Sequence, residues 1–104
     1  MANKIGDIVL IPFPFSDLSD SKVRPAVVLQ FDQNDIVVVF ITSKEVENSL
    51  QIDLESTNGL QIKSFVRYSK IATIDKSLKV GTLGCLSGED LKKLKKKISN
   101  FLNL

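Results

Sequence analysis

The chain contains no histidine, one cysteine and no tryptophan. The missing imidazole removes the Ser–His–Asp and Cys–His nucleophile schemes, the commonest general base and the commonest zinc ligand. With a single thiol, Cys85, no internal disulfide can form, and a zinc centre has little to be built from. No metal or cofactor is expected. Long apolar runs are also lacking: none approaches the length needed to span a bilayer. The opening MANKIGDIVLIPFPF shows no charged leader, long apolar stretch and small-residue cleavage site in series, which sets the expectation of a cytoplasmic protein with no membrane partner. Any chemistry must come from Arg, Lys, Thr, Ser, Tyr, Asp or Glu.

What is present is an ordinary globular composition. The chain has 104 residues, 43% hydrophobic and 25% charged, with a net charge of +2. That size predicts one domain, residues 1–104, able to bury its own core. The weak positive balance permits a nucleic-acid partner without requiring one.

Most of the chain reads as strands. GDIVLIP (6–12) is apolar at every position from Ile8 to Ile11 and β-branched at all of them but Leu10, as in a strand buried on both faces or at a barrel seam. Residues 13–22 hold Phe13, Pro14, Phe15, Asp17 and Lys22 among several serines, and read as a loop. RPAVVLQF (24–31) is the second strand, with Pro25 at its start, where no ladder donor is needed. After the turn DQND comes IVVVFIT (36–42), apolar enough to be central. LQIDLE (50–55) alternates as a half-exposed strand, STNG turns, SFVRYSKIATI (64–74) gives one or two strands, and TLGCL (82–86) a short last one.

The tail changes period. Leu91, Leu94, Ile98, Phe101 and Leu102 form a helical stripe, with Ser87 and Asp90 in a capping arrangement. Lys92, Lys93, Lys95, Lys96 and Lys97 fill the other face, either as a solvated surface or as an RNA-binding one. The fold class expected is mainly β with one C-terminal α-helix: a small, strongly curved antiparallel sheet or barrel.

Three residues at strand ends or within strands stand out. Arg24 begins the second strand and Thr42 ends the third, with Ser43 beside it. The short DQND turn makes these strands a hairpin, so Arg24 and Thr42 should meet at one end of the sheet. Arg67 lies in SFVRYSK, followed by Tyr68, Ser69 and Lys70, and connectivity does not say whether it joins them. Each also has a structural reading. Arg24 could pin the preceding loop through Asp17 or Asp20, Thr42 could cap a strand end, and Arg67 could be an exposed alternate. Cys85 reads as a small core residue.

The stretches GDIVLIPFPFSDLSDSKVRPAVVL, FITSK, Gly59–Leu60 and SFVRYSKIATIDK, in that order, resemble the PemK/MazF toxins of bacterial type II toxin–antitoxin systems over essentially the whole chain. The resemblance implies a CcdB/MazF-like, SH3-like curved barrel and a homodimer. It also implies a metal-independent endoribonuclease acting on single-stranded RNA. The protein would be restrained by a cognate antitoxin, and would reach operator DNA only through it. By position, Arg24 and Thr42 match the catalytic arginine and threonine, and Arg67 a second arginine used by some members. Where those members carry an acid two positions further on, this chain has Ser69. Ser43, Ser69 and Lys70 are further candidates for catalysis or RNA contact. Phe13, Phe15, Asp17 and Lys22 would form one wall of an RNA groove, its aromatics stacking on unpaired bases.

The chemistry is sound on its own terms. The RNA 2′-hydroxyl can attack the adjacent phosphate, and an arginine fork suits the charge that gathers there. Two other functions stay open at this point: a noncatalytic SH3-like module binding a peptide or protein, and a CcdB-like poison of a topoisomerase.

Overall fold

The computed structural model describes residues 3–12, 22–55 and 57–104. Six strands make one antiparallel sheet: β1 (Asp7–Pro12), β2 (Val23–Phe31), β3 (Asp35–Thr42), β4 (Ser49–Ile52), β5 (Ser64–Asp75) and β6 (Gly81–Cys85). A short 3₁₀ turn (Lys76–Leu78) precedes β6, and one helix, α1 (Gly88–Leu102), ends the chain. The strand order is β4-β5-β3-β2-β1-β6, so the apolar IVVVFI segment is interior, as its composition predicts. The mainly β architecture with a C-terminal helix is therefore observed. Among the described residues no helix is long and apolar enough to cross a membrane.

Alternation along the strands feeds two apolar clusters. Ile8, Val27, Val39, Ile41, Ile52 and Val66 point to the side covered by α1, which contributes the fully buried Leu94. Val9, Ile11, Ala26, Val28, Val38 and Phe40 form the second cluster. This explains why β1 is apolar at consecutive positions: Ile8 and Val9 serve opposite faces. Each fully buried aliphatic side chain contributes about 1.5–3 kcal/mol. The helix starts where Ser87 Oγ accepts the Asp90 N–H at 3.1 Å, and Glu89 and Asp90 lie in its positive first turn.

Closure of the curved sheet depends on the β4–β5 connection. The Thr57 carbonyl accepts the Cys85 N–H at 3.0 Å, tying the loop to the opposite edge strand. Glycine permits this approach twice. A Cβ on Gly84 would lie 2.2 Å from the Thr57 oxygen, and one on Gly59 (φ +71°) 2.3 Å from the Leu83 oxygen. Buried Asn58 shapes the turn by donating to the Asp53 carbonyl and accepting the Leu60 N–H, each at 3.0 Å. Leu83 is the extra residue where β1–β6 pairing jumps from Ile8↔Gly84 to Val9↔Thr82.

Several sequence expectations need correction. Pro25 is the third residue of β2, because β1 extends the ladder to Pro12↔Val23. The 50–55 segment stops as a strand at Ile52, where pairing with Ser64 ends, and Leu54 is exposed. Cys85 is exposed rather than core, since β6 pairs on one side only.

Candidate active site

Arg24 and Thr42 come to the same end of the sheet. The β2–β3 register begins at Ala26↔Phe40, and its continuation sets Arg24 opposite Thr42. Pro25 brings no N–H to extend that ladder, so the two strands are free to part there. Both residues are half-buried, and both line two adjoining cavities. Thr42 Oγ1 accepts the Lys44 backbone N–H at 3.2 Å. That contact uses an oxygen lone pair and leaves the hydroxyl proton available to a ligand.

Arg67 joins them through an irregularity in β5. Pairing with β3 runs through Ile41↔Val66 and resumes at Val39↔Ile71, so residues 67–70 all stand against Phe40. Such a bulge re-aims side chains. Arg67 lines a 250 Å³ cavity with Arg24, Thr42, Ser43 and Lys44, and its Nε is buried with no hydrogen-bond partner among the described residues. A desolvated guanidinium N–H without an acceptor is uncommon in a folded protein, and it belongs to a side chain that lines this cavity. Three cations and two hydroxyls line this space, and no carboxylate does among the described residues. The arrangement suits a phosphate-sized anion.

The second cavity, about 380 Å³, has a different character. Leu60, Ile62 and Leu83 give it apolar walls, with Gln61, Ser43 and Ser64 as polar points. Its far wall exists because the 57–59 loop is pinned against β6. Sequence reading did not single out Gln61, Ile62 or Leu83 as cleft residues. The signal available in the sequence was the Asn58–Gly59 turn; that Ile62 and Leu83 are exposed, by 59% and 38%, is visible only in the fold.

The remaining candidates divide. Ser43 is exposed and lines both cavities. Ser69 and Lys70 sit in the β5 bulge and line neither. Lys22 is exposed just before β2, while Phe13, Phe15 and Asp17 lie outside the described residues. Among the described residues no three of His, Cys, Asp and Glu gather as a metal site would need.

The class defined so far is a small curved antiparallel sheet with a C-terminal helix and a basic two-part cleft at one end. Solved structures share the fold. An endoribonuclease in complex with its cognate antitoxin, from Mycobacterial species, matches with TM-score 0.79 at 16% identity, covering 99% of this chain and 97% of that one. Mycobacterium tuberculosis toxin MazF-mt6 matches with TM-score 0.77 at 21% identity, over 94% and 97%. MazF from Deinococcus radiodurans matches with TM-score 0.77 at 16% identity, over 100% and 99%. A search of curated proteins finds no match. The family described as PemK-like, MazF-like toxin of type II toxin–antitoxin system matches residues 4–102, and the chain belongs to that family.

Proposed function

We propose that the protein is an endoribonuclease toxin that cuts single-stranded RNA by 2′-hydroxyl attack. The observation that carries this reading is the meeting of Arg24, Thr42 and Arg67 on one basic cavity, beside an apolar one large enough for a base. The 2′-oxygen bonds to phosphorus, the P–O5′ bond breaks, and the products are a 2′,3′-cyclic phosphate and a 5′-hydroxyl. The 2′-hydroxyl proton leaves and one is delivered to O5′, so the net proton count is unchanged. The nucleophile is the substrate's own, and no step calls for a metal.

Arg24 and Arg67 act on charge. Their planar donors can bind the non-bridging oxygens, where negative charge grows in the transition state. Thr42 Oγ1, positioned by the Lys44 N–H, donates to one of those oxygens. Arginine keeps its proton and is a poor general base. Turnover should therefore be modest and rest on orientation and electrostatics.

The partner reading follows the same line. Solved relatives include an endoribonuclease held by its cognate antitoxin and a MazE–MazF complex from Deinococcus radiodurans. A cognate antitoxin that covers the basic cleft is proposed for this chain too. Exposed Val80, Phe101, Leu102 and Leu104 support a homodimer.

Purified protein in EDTA should cleave an unstructured RNA and leave a cyclic phosphate. Arg24→Ala should lower the rate by about 10²–10³ or more while the chain stays folded. Cleavage by Arg24→Ala at the wild-type rate would refute the assignment.

A further inference from the structure

We propose that a second basic surface, the groove between α1 and β4, holds the sugar–phosphate backbone of the RNA beyond the cleaved step. The proposal rests on the RNA reading above and extends it to a surface outside the cleft.

The lysines of α1 are not equivalent. Leu94 is buried in the core and Leu91 and Ile98 pack against it, which fixes the rotation of the helix. Lys93, Lys96, Lys97 and Asn100 then fall on one flank and, with Leu50 of β4, line a groove of about 230 Å³. Lys92 and Lys95 do not line it. On this flank Lys93 pairs with Glu89 at 3.7 Å, with both side chains more than half exposed. Such a pair contributes little and yields readily to a polyanion.

The groove and the cleft lie on opposite faces of the sheet, on either side of the β4 edge. In the β4–β5 register Ser49 stands opposite Arg67, and Leu50 opposite Val66. Successive residues face opposite sides of a sheet, so Ser49 shares a face with Arg67 while Leu50 turns to the helix. β4 is an edge strand of four residues. One residue therefore separates the position paired with Arg67 from the groove, and a strand leaving Arg67 meets the lysines by rounding that edge.

The chemistry favours backbone over bases. The lining holds ammonium groups, one amide and one aliphatic side chain, with no aromatic to stack on a base. Lys93 and Lys97 lie one helical turn apart, about 6 Å along the axis, which suits successive phosphates of an extended strand. Contacts of this kind add affinity and leave sequence preference unchanged. An acidic protein segment would offer charge as well, but the short route from Arg67 around the β4 edge points to RNA.

The test uses fully 2′-O-methylated oligonucleotides of 7 and 20 nucleotides, which cannot be cleaved, and the variant Lys93→Gln/Lys96→Gln/Lys97→Gln. Circular dichroism melting shows whether the variant is folded, and Lys92→Gln/Lys95→Gln serves as a control that removes charge from the same helix outside the groove. Wild type should bind the 20-mer more tightly than the 7-mer. The triple variant should lose that gain, about tenfold near physiological salt, and its log K against log[salt] slope on the 20-mer should fall by about 2, at roughly 0.7 per phosphate contact. Equal binding of both lengths by wild type overturns the groove proposal alone. So does an unchanged slope in the triple variant, or an equal loss in the control. Loss of binding to a poly-glutamate peptide with unchanged RNA binding would assign the groove to a protein and also overturn it. Failure of wild type to bind either oligonucleotide would instead strike the RNA reading itself.

Discussion

Replacing Thr42 by valine removes one hydroxyl and keeps the shape of the side chain. In the folded protein that oxygen accepts the Lys44 N–H at 3.2 Å, and Lys44 is exposed. The freed N–H can turn to water, so the loss sits at the low end of the usual range, about 0.5 kcal/mol. Valine suits a strand end, which offsets part of it. In a domain of this size that is a fall of a few degrees in Tm at most, since about 1 kcal/mol corresponds to roughly 4–8 °C. The expected kinetic effect is far larger. A donor aimed at charge that grows in the transition state contributes about 3 kcal/mol, or roughly 10² in rate. A neutral ground-state hydrogen bond contributes about 1 kcal/mol, roughly fivefold in affinity. Thr42→Val should therefore cut single-turnover cleavage of a fluorophore–quencher RNA about a hundredfold. Binding of a 2′-O-methyl analogue should weaken about fivefold or less, and Thr42→Ser should recover much of the rate. A Thr42→Val rate within threefold of wild type, or losses of rate and affinity that match, would refute the reasoning and reduce Thr42 to a simple contact.

Other substitutions probe the frame around the cleft. Arg67→Lys keeps the charge but loses the fork, and should lower the cleavage rate about tenfold or more with little change in melting temperature. Gly59→Ala puts a methyl group 2.3 Å from the Leu83 carbonyl at a positive φ, and should lower stability by about 2 kcal/mol or more in urea titration, with cleavage falling as the cleft wall shifts. Asp32 accepts the Asn34 and Asp35 N–H groups at 2.8 and 2.7 Å, which hold its pKa below the usual 3.8. A depressed carboxylate stabilises the fold above its unfolded pKa and loses that effect as pH falls through the folded one. The Tm gap between wild type and Asp32→Ala should thus be full at pH 6 and shrink below about pH 4; a gap constant down to pH 2 would exclude the capping role.

Much of this molecule is legible in its residues, and the boundary of legibility is physical. The hairpin that brings Arg24 to Thr42 could be read because a short turn makes β2 and β3 antiparallel neighbours. The capped helix could be read because its period and Ser87 act locally. Arg67 could not be placed, because the bulge that turns it into the cavity is a misfit between β3 and β5, not a pattern in either. Ile62 and Leu83 were missed for a related reason. Their exposure has meaning only once two distant segments touch. Cys85 was misjudged because burial on an edge strand depends on what lies beyond the edge, which composition does not encode.

The pinning of the 57–59 loop by β6 has a consequence for synthesis. Asp7 pairs with Cys85, so the edge of the first strand not taken by β2 waits for nearly the end of the chain. Contacts so far apart in the chain form slowly. A ribosome that has released only the segment through β5 has exposed Arg24 and Thr42, yet the apolar cavity beside them lacks the wall that Leu83 of β6 supplies. On the proposed function, the newborn polypeptide would be poorly equipped to attack the message that encodes it until the final strand has emerged and docked.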